Sequence, residues 1–326
     1  MATVDQIKAL IKSHVDRDDE RFLALVLQVA AGEARQGHAH AAAEIRSLVD
    51  DVRKRASASR RPVPIATPRG ELAGLLSVSM PDTRLADMVL DEPLNHKLER
   101  VLREHRSADK LMARGLHPAR KLLLVGPPGT GKTMTAAALA GELHLPLYVI
   151  VLHALITRFL GETAAKLRLI FDALAENRGV YLFDEFDAIG GERTAGTDVG
   201  EIRRVLNSFL QFLEQDQSRS LIVAATNHRA SLDTALFRRF DAVVEYAAPT
   251  EELAEIAVRN RLAAFDTPTV DWSVVREAAR GLSYAEVAAA SDTAAKDSVL
   301  QDLSQISTDH LVRAMSDRRQ AHHRPG

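Results

Sequence analysis

From about Thr83 onward the chain alternates short apolar runs with longer stretches in which apolar residues return every three or four positions. The short runs are Lys121–Val125, Leu147–Val151, Gly179–Phe183, Leu221–Ala225 and Ala242–Glu245, rich in branched and aromatic residues. They predict strands, and strands alternating with helical stretches predict a parallel sheet covered on both faces. After Pro249 the strand signal stops. Helical periodicity continues over Glu251–Ala264, Trp272–Arg280, Tyr284–Leu300 and Thr308–Ala321, which predicts a small all-helical domain behind the sheet. No internal repeat is present.

Ahead of Thr83 the pattern differs. Thr3-Val4-Asp5-Gln6 has the form of a capping box, and Val4, Ile7, Leu10 and Ile11 follow at helical spacing. A second helix, capped by Asp18 or Asp19, is expected through Leu23, Leu25, Val26, Leu27 and Val29, with Gly32 to end it. A third carries Ala41, Ile45, Leu48, Val49 and Val52. Roughly 55 residues make a marginal core alone, so a helical hairpin or three-helix bundle that docks onto something else is expected. Between Ser57 and Pro81 stand Pro62, Pro64, Pro68, Pro81, Gly70 and Gly74, a density that predicts a linker. Its basic start (Arg53, Lys54, Arg55, Arg60, Arg61) reads as a solvated charge run or as a contact to an acidic partner or nucleic acid. The expected domains are residues 1–56, a linker over 57–82, an α/β domain over 83–248 and a helical domain with a tail over 249–326.

Composition narrows the choices. At 326 residues, 46% hydrophobic and 26% charged, the chain has globular proportions and room for about two domains of ~150 residues. Lys and Arg number 42 against 44 Asp and Glu, a net charge of −2, so no basic field implies an obligatory nucleic-acid partner. The absence of cysteine excludes a disulfide scaffold, a thiol nucleophile and a thiolate zinc site, and fits a reducing compartment. The most apolar stretch, Phe22–Ala31, is broken by Gln28 and falls short of the ~18 residues of a membrane span. The first residues lack a basic region followed by an apolar one, so no signal peptide is expected, and a soluble cytoplasmic protein is. The twelve histidines, His38, His40, His322 and His323 among them, show no zinc-like spacing with acids.

The chemistry is concentrated in two motifs. Gly126-Pro127-Pro128-Gly129-Thr130-Gly131-Lys132-Thr133 matches the phosphate-binding pattern GxxxxGK[ST], preceded by the apolar strand Leu122–Val125 and followed by the helical Met134–Leu143. Glycines let backbone wrap an anion closely, and successive amide N–H groups at a helix start point toward it. Lys132 adds a charge that reaches the β and γ phosphates, and Thr133 offers a hydroxyl to Mg²⁺. Downstream, four apolar residues (Val180-Tyr181-Leu182-Phe183) deliver Asp184 and Glu185 to the carboxyl end of a strand, where open α/β sheets bind ligands. Asp184 suits Mg²⁺, and Glu185 suits a general base for water. Asp187 reads as a cap for the next segment.

With these motifs the chain resembles the AAA family of P-loop ATPases, from about Leu85 to Lys296. Gly126–Thr133 is similar to the family's GPPGTGKT, and Asp184-Glu185-Phe186-Asp187 to its second acidic motif. The resemblance implies a P-loop α/β domain with a helical lid, ATP and Mg²⁺ as cofactors, and hydrolysis to ADP and phosphate. It places Asn227 of Ala225-Thr226-Asn227 near the hydrolytic water or γ-phosphate. It makes Arg238 and Arg239 arginine fingers that reach the nucleotide of a neighbouring subunit, worth ~10³–10⁵ in rate. The two arginines are adjacent, as in the katanin, spastin and ESCRT-disassembly branch. Asp87 and Met88 fall in the stretch that reads adenine, Met134 follows the phosphate loop, and Ala285 stands where wider relatives carry a lid arginine.

Ile156–Thr163 resembles the pore loop of protein-translocating rings, with Phe159, Leu160 and Gly161 as the gripping residues; the alternative is the core of a helix end. Gly190–Thr197 would form a second pore loop. The resemblance thus implies a homo-oligomer, a hexamer, that remodels, unfolds or threads proteins. Its N-terminal helices would bind the substrate or an adaptor, and a partner protease is compatible with it. The other readings are a nucleic-acid-associated ATPase, using the basic linker and Arg318/Arg319, and a regulatory switch in which ATP only assembles a ring.

Overall fold

In the computed structural model, the described residues are 70–155, 160–187, 199–229, 232, 234–303 and 305–322, together with Val26 and Ala30. The chain divides into two units, Met1–Pro64 and Ile65–Gly326, and the sheet with its helices belongs to the second. Of the expected N-terminal helices only Val26 and Ala30 are described, both helical. The basic run and the segment 190–197 lie outside the described residues.

Six strands form one sheet: β1 (Leu76–Ser79), β2 (Lys121–Val125), β3 (Leu147–Ile150), β4 (Val180–Phe183), β5 (Leu221–Thr226) and β6 (Ala242–Glu245), in the order β1-β3-β4-β5-β2-β6. All pairs are parallel except β1 with β3. β2, β4 and β5 are buried throughout, apart from Lys121 at the start of β2, which explains their continuous rather than alternating apolar pattern. Val125 registers with both Thr226 and Glu245, and Phe183 with Ala224, so the carboxyl ends of these strands form one rim.

Strand β1 departs from the expectation. The Pro and Gly density of 57–82 predicts linker, yet a 3₁₀ turn over Gly70–Gly74 leads into β1, which closes the sheet edge on β3. Leu76 is buried while Ser77 and Ser79 are exposed, so this is a half-covered edge strand whose signal is only four residues long. Punctuation on either side masks it.

Helices cover the sheet: α1 (Glu92–Arg106), α2 (Ala108–Met112), α3 (Lys132–Leu143), α4 (Leu152–Leu155), α5 (Leu160–Glu176), α6 (Val199–Gln215) and α7 (Thr234–Phe237). α1 starts where Asp91 accepts from Leu94 N, with Pro93 in the first turn. The main core has Phe209 at its centre, with Phe171, Phe183 and Phe186 at ring-centroid distances of 5.8, 5.0 and 4.8 Å. This aromatic cluster clamps α5 and α6 onto β4 and so fixes the acidic turn that follows β4.

Four helices make the small domain: α8 (Glu251–Arg261), α9 (Trp272–Ala279), α10 (Tyr284–Leu300) and α11 (Thr308–His322). Val258, Val275, Val287, Leu311 and Met315 form its separate core. Glu255 is held by Arg259 and Arg276, and Arg259 also lies 3.8 Å over the Trp272 ring. Ser283 begins α10 with a full capping box, its hydroxyl accepting from Glu286 N while Glu286 accepts from Ser283 N. Among the described residues no helix is long and apolar enough to cross a membrane.

Candidate active site

The phosphate loop joins the end of β2 to the start of α3, and its shape needs glycine where contact is closest. A Cβ on Gly126 would lie 2.4 Å from the Tyr246 carbonyl oxygen, an overlap with backbone that no rotamer relieves. Gly129 adopts a φ of +73°, and a Cβ there would sit 2.6 Å from Ser283 Oγ. Thr130 is buried and donates to Pro127 O at 2.8 Å, closing the loop from within, while Pro127 and Pro128 are exposed. Gly131 carries a φ of +98° and turns the chain into α3.

Lys132 folds back over the loop and donates to Gly126 O and Pro127 O, both at 2.7 Å. Burial pushes its pKa down from the ordinary lysine value, and Asp184 and Asp187 oppose that shift by holding the charged form. Thr133 donates to Asp184 Oδ2 at 2.6 Å. The hydroxyl and the carboxylate expected to share Mg²⁺ are therefore neighbours, although they lie 51 positions apart. Met134 follows, exposed, at the helix start.

Glu185 is exposed and has a φ of +50°, a left-handed conformation that costs a non-glycine residue roughly 1–2 kcal/mol. Two hydrogen bonds hold it there: its own N–H donates to Asp184 Oδ1 at 2.9 Å, and the next amide, Phe186 N, donates to Ala225 O at 2.8 Å. Strain at a carboxylate beside a phosphate loop is the expected signature of a functional group. Asn227 follows β5, on the strand-end rim that also bears Gly126 and Asp184.

Asp187, expected as a cap for the next segment, which lies outside the described residues, has partners across the sheet. Its Oδ1 accepts from Thr226 Oγ1 at 3.0 Å and from Asn227 N at 3.4 Å. Because β4 and β5 are parallel neighbours, the turn after β4 lies beside the end of β5, where a hydroxyl and an amide await an acceptor. Thr226 and Asp187 thus tie the acidic turn to the Asn227 turn. Sequence reading gives the residue pair no signal, since only strand order brings them together.

Toward the base side, Met88 lies against the loop: a Cβ on Gly131 would be 3.2 Å from its Cε, and Thr135 Oγ1 is 3.9 Å from its Sδ. Asp87 instead turns back on its own segment and accepts from Arg84 N at 2.7 Å. The lid also touches the loop. Ala285 N donates to Gly129 O at 3.1 Å, so the position that carries no arginine contacts the phosphate loop through its backbone.

The finger segment separates its two arginines. Arg239 is paired with Glu214 at the end of α6. Arg238 is exposed and, among the described residues, has no hydrogen-bond or ion-pair partner. Arg229, just beyond Asn227, pairs with Glu245 and lies 5.4 Å over the Phe237 ring, so it braces the helix that ends at the arginines. Phe159 is outside the described residues. Leu160 and Gly161 are the first two residues of α5 rather than parts of a free turn, and Glu162 in the first turn favours that start.

These residues fit a nucleoside triphosphate with its metal. The loop is a cradle that side chains would fill, a helix start and a lysine face it, and a hydroxyl–carboxylate pair stands ready to hold a hard cation. Bound Mg²⁺ supplies charge neutralisation on the phosphates. Lys132 would anchor the β and γ phosphates, Thr133 and Asp184 would hold the metal, and Glu185 would orient and deprotonate the attacking water. Asn227, fixed by Asp187, would hold that water or the γ-phosphate from the other side.

Comparison with known proteins agrees. Residues 122–247 match the sequence profile of the ATPase family associated with various cellular activities (AAA). The Uncharacterized AAA family ATPase y4kL of Sinorhizobium fredii is 32% identical over 320 residues, covering 97% of this chain and 96% of that protein. Two ATP-dependent zinc metalloproteases FtsH are also similar. That of a Sulfurovum species is 31% identical over 76% of this chain and 38% of its own length. That of Marinobacter nauticus is 34% identical over 67% and 36%. The chain therefore spans little more than a third of these FtsH proteins and nearly all of the Sinorhizobium one. A strained glutamate, a cradle of glycines, the Thr133–Asp184 pair and a relative that shares nearly the whole chain lead to one conclusion: the protein belongs to the AAA family and is an ATPase that uses ATP with Mg²⁺.

Proposed function

We propose that this ATPase works as a ring, a hexamer, that remodels, unfolds or threads protein chains through a central pore. The observation that carries the reading is Arg238, exposed and without a partner among the described residues, in a chain whose phosphate site has its own lysine, acids and asparagine. A guanidinium in that state suits the γ-phosphate of a neighbouring subunit, where a cation supplied in trans stabilises transition-state charge. Hydrolysis at a seam between subunits then moves one subunit against the next. The adjacent Arg238 and Arg239 favour the finger pattern of the katanin, spastin and ESCRT-disassembly branch. The FtsH relatives bear the name of ATP-dependent proteases, which supports a protein as the object of the work. Phe159, Leu160 and Gly161 would form the loop that grips an extended chain. Residues 1–56 would recruit the substrate or an adaptor, with the part of the linker ahead of Gly70 as tether, in the cytoplasm.

The test uses a fluorescent reporter protein with an unstructured tail, mixed with the full chain and ATP. Phe159→Ala is expected to abolish reporter unfolding per ATP hydrolysed. Unchanged unfolding in that variant would overturn the threading reading, and a wild-type chain that hydrolyses ATP fully as a monomer would overturn the ring.

A further inference from the structure

One tyrosine touches both ends of the phosphate loop. Tyr246 directly follows β6, and its N–H donates to Val125 O at 2.7 Å. Its carbonyl and Cβ pack so closely over Gly126 that a methyl group there would overlap them, with 2.4 and 2.7 Å separations. Its side chain then runs beneath the loop to the first turns of α3. There its hydroxyl lies 2.6 Å from Thr135 Oγ1, and both residues are buried, at 6% and 0% exposure. Thr135 Oγ1 donates onward to Gly131 O at 3.1 Å, and Thr135 N donates to the same carbonyl at 2.8 Å.

Either hydroxyl can donate in the Tyr246–Thr135 bond, and the direction follows from where the Thr135 hydrogen points. With the Thr135 hydroxyl hydrogen directed to Gly131 O, the Tyr246 hydroxyl is the donor to Thr135 Oγ1. Burial raises the Tyr246 pKa well above the ordinary tyrosine value, so that donor stays protonated at any physiological pH. The relay runs Tyr246 to Thr135 to Gly131, whose carbonyl belongs to the residue just before Lys132.

We propose that Tyr246 is a positioning residue for nucleotide: through Gly126 at one end and the Thr135–Gly131 relay at the other, it fixes the span of the phosphate cradle. The role rests on the reading of that loop as the site of ATP phosphates. Pre-setting the span matters because the loop must aim several amides at one anion, and any slack would be removed at the expense of binding. Met88 shares the cluster at 3.9 Å from Thr135 Oγ1, so loosening the relay also loosens the base-side wall.

The experiment measures ADP binding by calorimetry on the full chain, for the wild type, Tyr246→Phe, Thr135→Val and the double variant, alongside melting curves without nucleotide. Each single variant is expected to weaken ADP about 5–10-fold, the scale of one buried hydrogen bond. The double variant is expected to be no weaker than the worse single one, because both remove the same link. In steady state, KM for ATP should rise by a similar factor while kcat at saturation stays within about twofold. A purely structural tyrosine would lower the melting temperature and leave ADP affinity unchanged, and that result overturns the role, as does full additivity of the two substitutions. Thr135→Val keeps the question decidable if Tyr246→Phe folds poorly. A wild-type chain that fails to bind ADP would sink the reading of the site itself, a result distinct from variants that bind as well as wild type.

Discussion

At the scale of single residues, the site combines groups that the sequence marks openly with groups that only contact reveals. Lys132, Thr133, Asp184 and Glu185 sit in patterns whose spacing follows from phosphate and metal chemistry, and the structure places all four on one rim. Asp187, Thr135 and Tyr246 have no such pattern. An aspartate near a segment start resembles a cap, and a tyrosine after a strand resembles core. Gly129 shows how narrow the tolerance is. Its φ of +73° and the 2.6 Å approach to Ser283 Oγ leave no room for a methyl group. Gly129→Ala should therefore displace the lid from the loop, weakening ATP at least ~10-fold, a step equivalent to about 1.4 kcal/mol. The same substitution should barely change the far-ultraviolet circular dichroism, because strain is confined to one loop. Equal ATP affinity in the variant would show that the lid contact is dispensable.

Helices and strands raise a different question, that of how elements are tied at the end of the sheet away from the nucleotide. There α1 is fastened to the segment before β2 by a pair of side chains: Glu104 accepts from Ala119 N, and His105 Nε2 meets Ala119 O at 2.9 Å. Burial depresses the His105 pKa below 6.5. Arg178 and Arg120 push the same way, while the Ala119 bond and Glu104 oppose it. Between 6.5 and that lower value the unfolded chain holds a proton that the folded chain lacks, so stability falls as pH drops through this window. Glu104 titrates below the ordinary 4.5 and adds nothing there. The urea midpoint should thus fall from about pH 7.5 to about pH 5.5, and His105→Gln should flatten that slope. Identical slopes in the two proteins would remove His105 as the cause. This fastening is also an example of what periodicity conceals, since the α1 pattern marks position 105 as inward-facing but cannot name its partner.

For the whole molecule, the decisive contrast is between two adjacent arginines. Arg239 is committed to Glu214 within its own subunit, whereas Arg238 has no such tie among the described residues. If hydrolysis is completed across a subunit boundary, Arg238→Ala should lower kcat by roughly 10³ while leaving ATP affinity near wild type. Arg239→Ala should act more mildly, through the seating of α7. Mixing gives the sharper measurement. Arg238→Ala subunits have sound phosphate loops, and Lys132→Ala subunits have sound fingers, so a mixture should recover activity that neither has alone. No recovery over the full range of mixing ratios would place Arg238 outside the neighbour's site. In the proposed ring the lid contact gains a consequence, because a shift of the phosphate loop reaches α10 directly through Gly129 O and Ala285 N.

The amino-acid order alone determined the α/β class, five of the six strands to within about a residue, the phosphate loop and its acidic partner. These are local properties: a run of apolar residues buries wherever the chain folds, and an anion-binding loop needs its glycines in a fixed spacing. The tertiary structure decided the rest. It turned part of the expected linker into edge strand β1, set Asp187 on Thr226, and joined Tyr246 to Thr135 across 111 positions. Each of these depends on which strands lie side by side. Strand order is fixed by packing both faces of the sheet at once, a condition that no window along the chain contains.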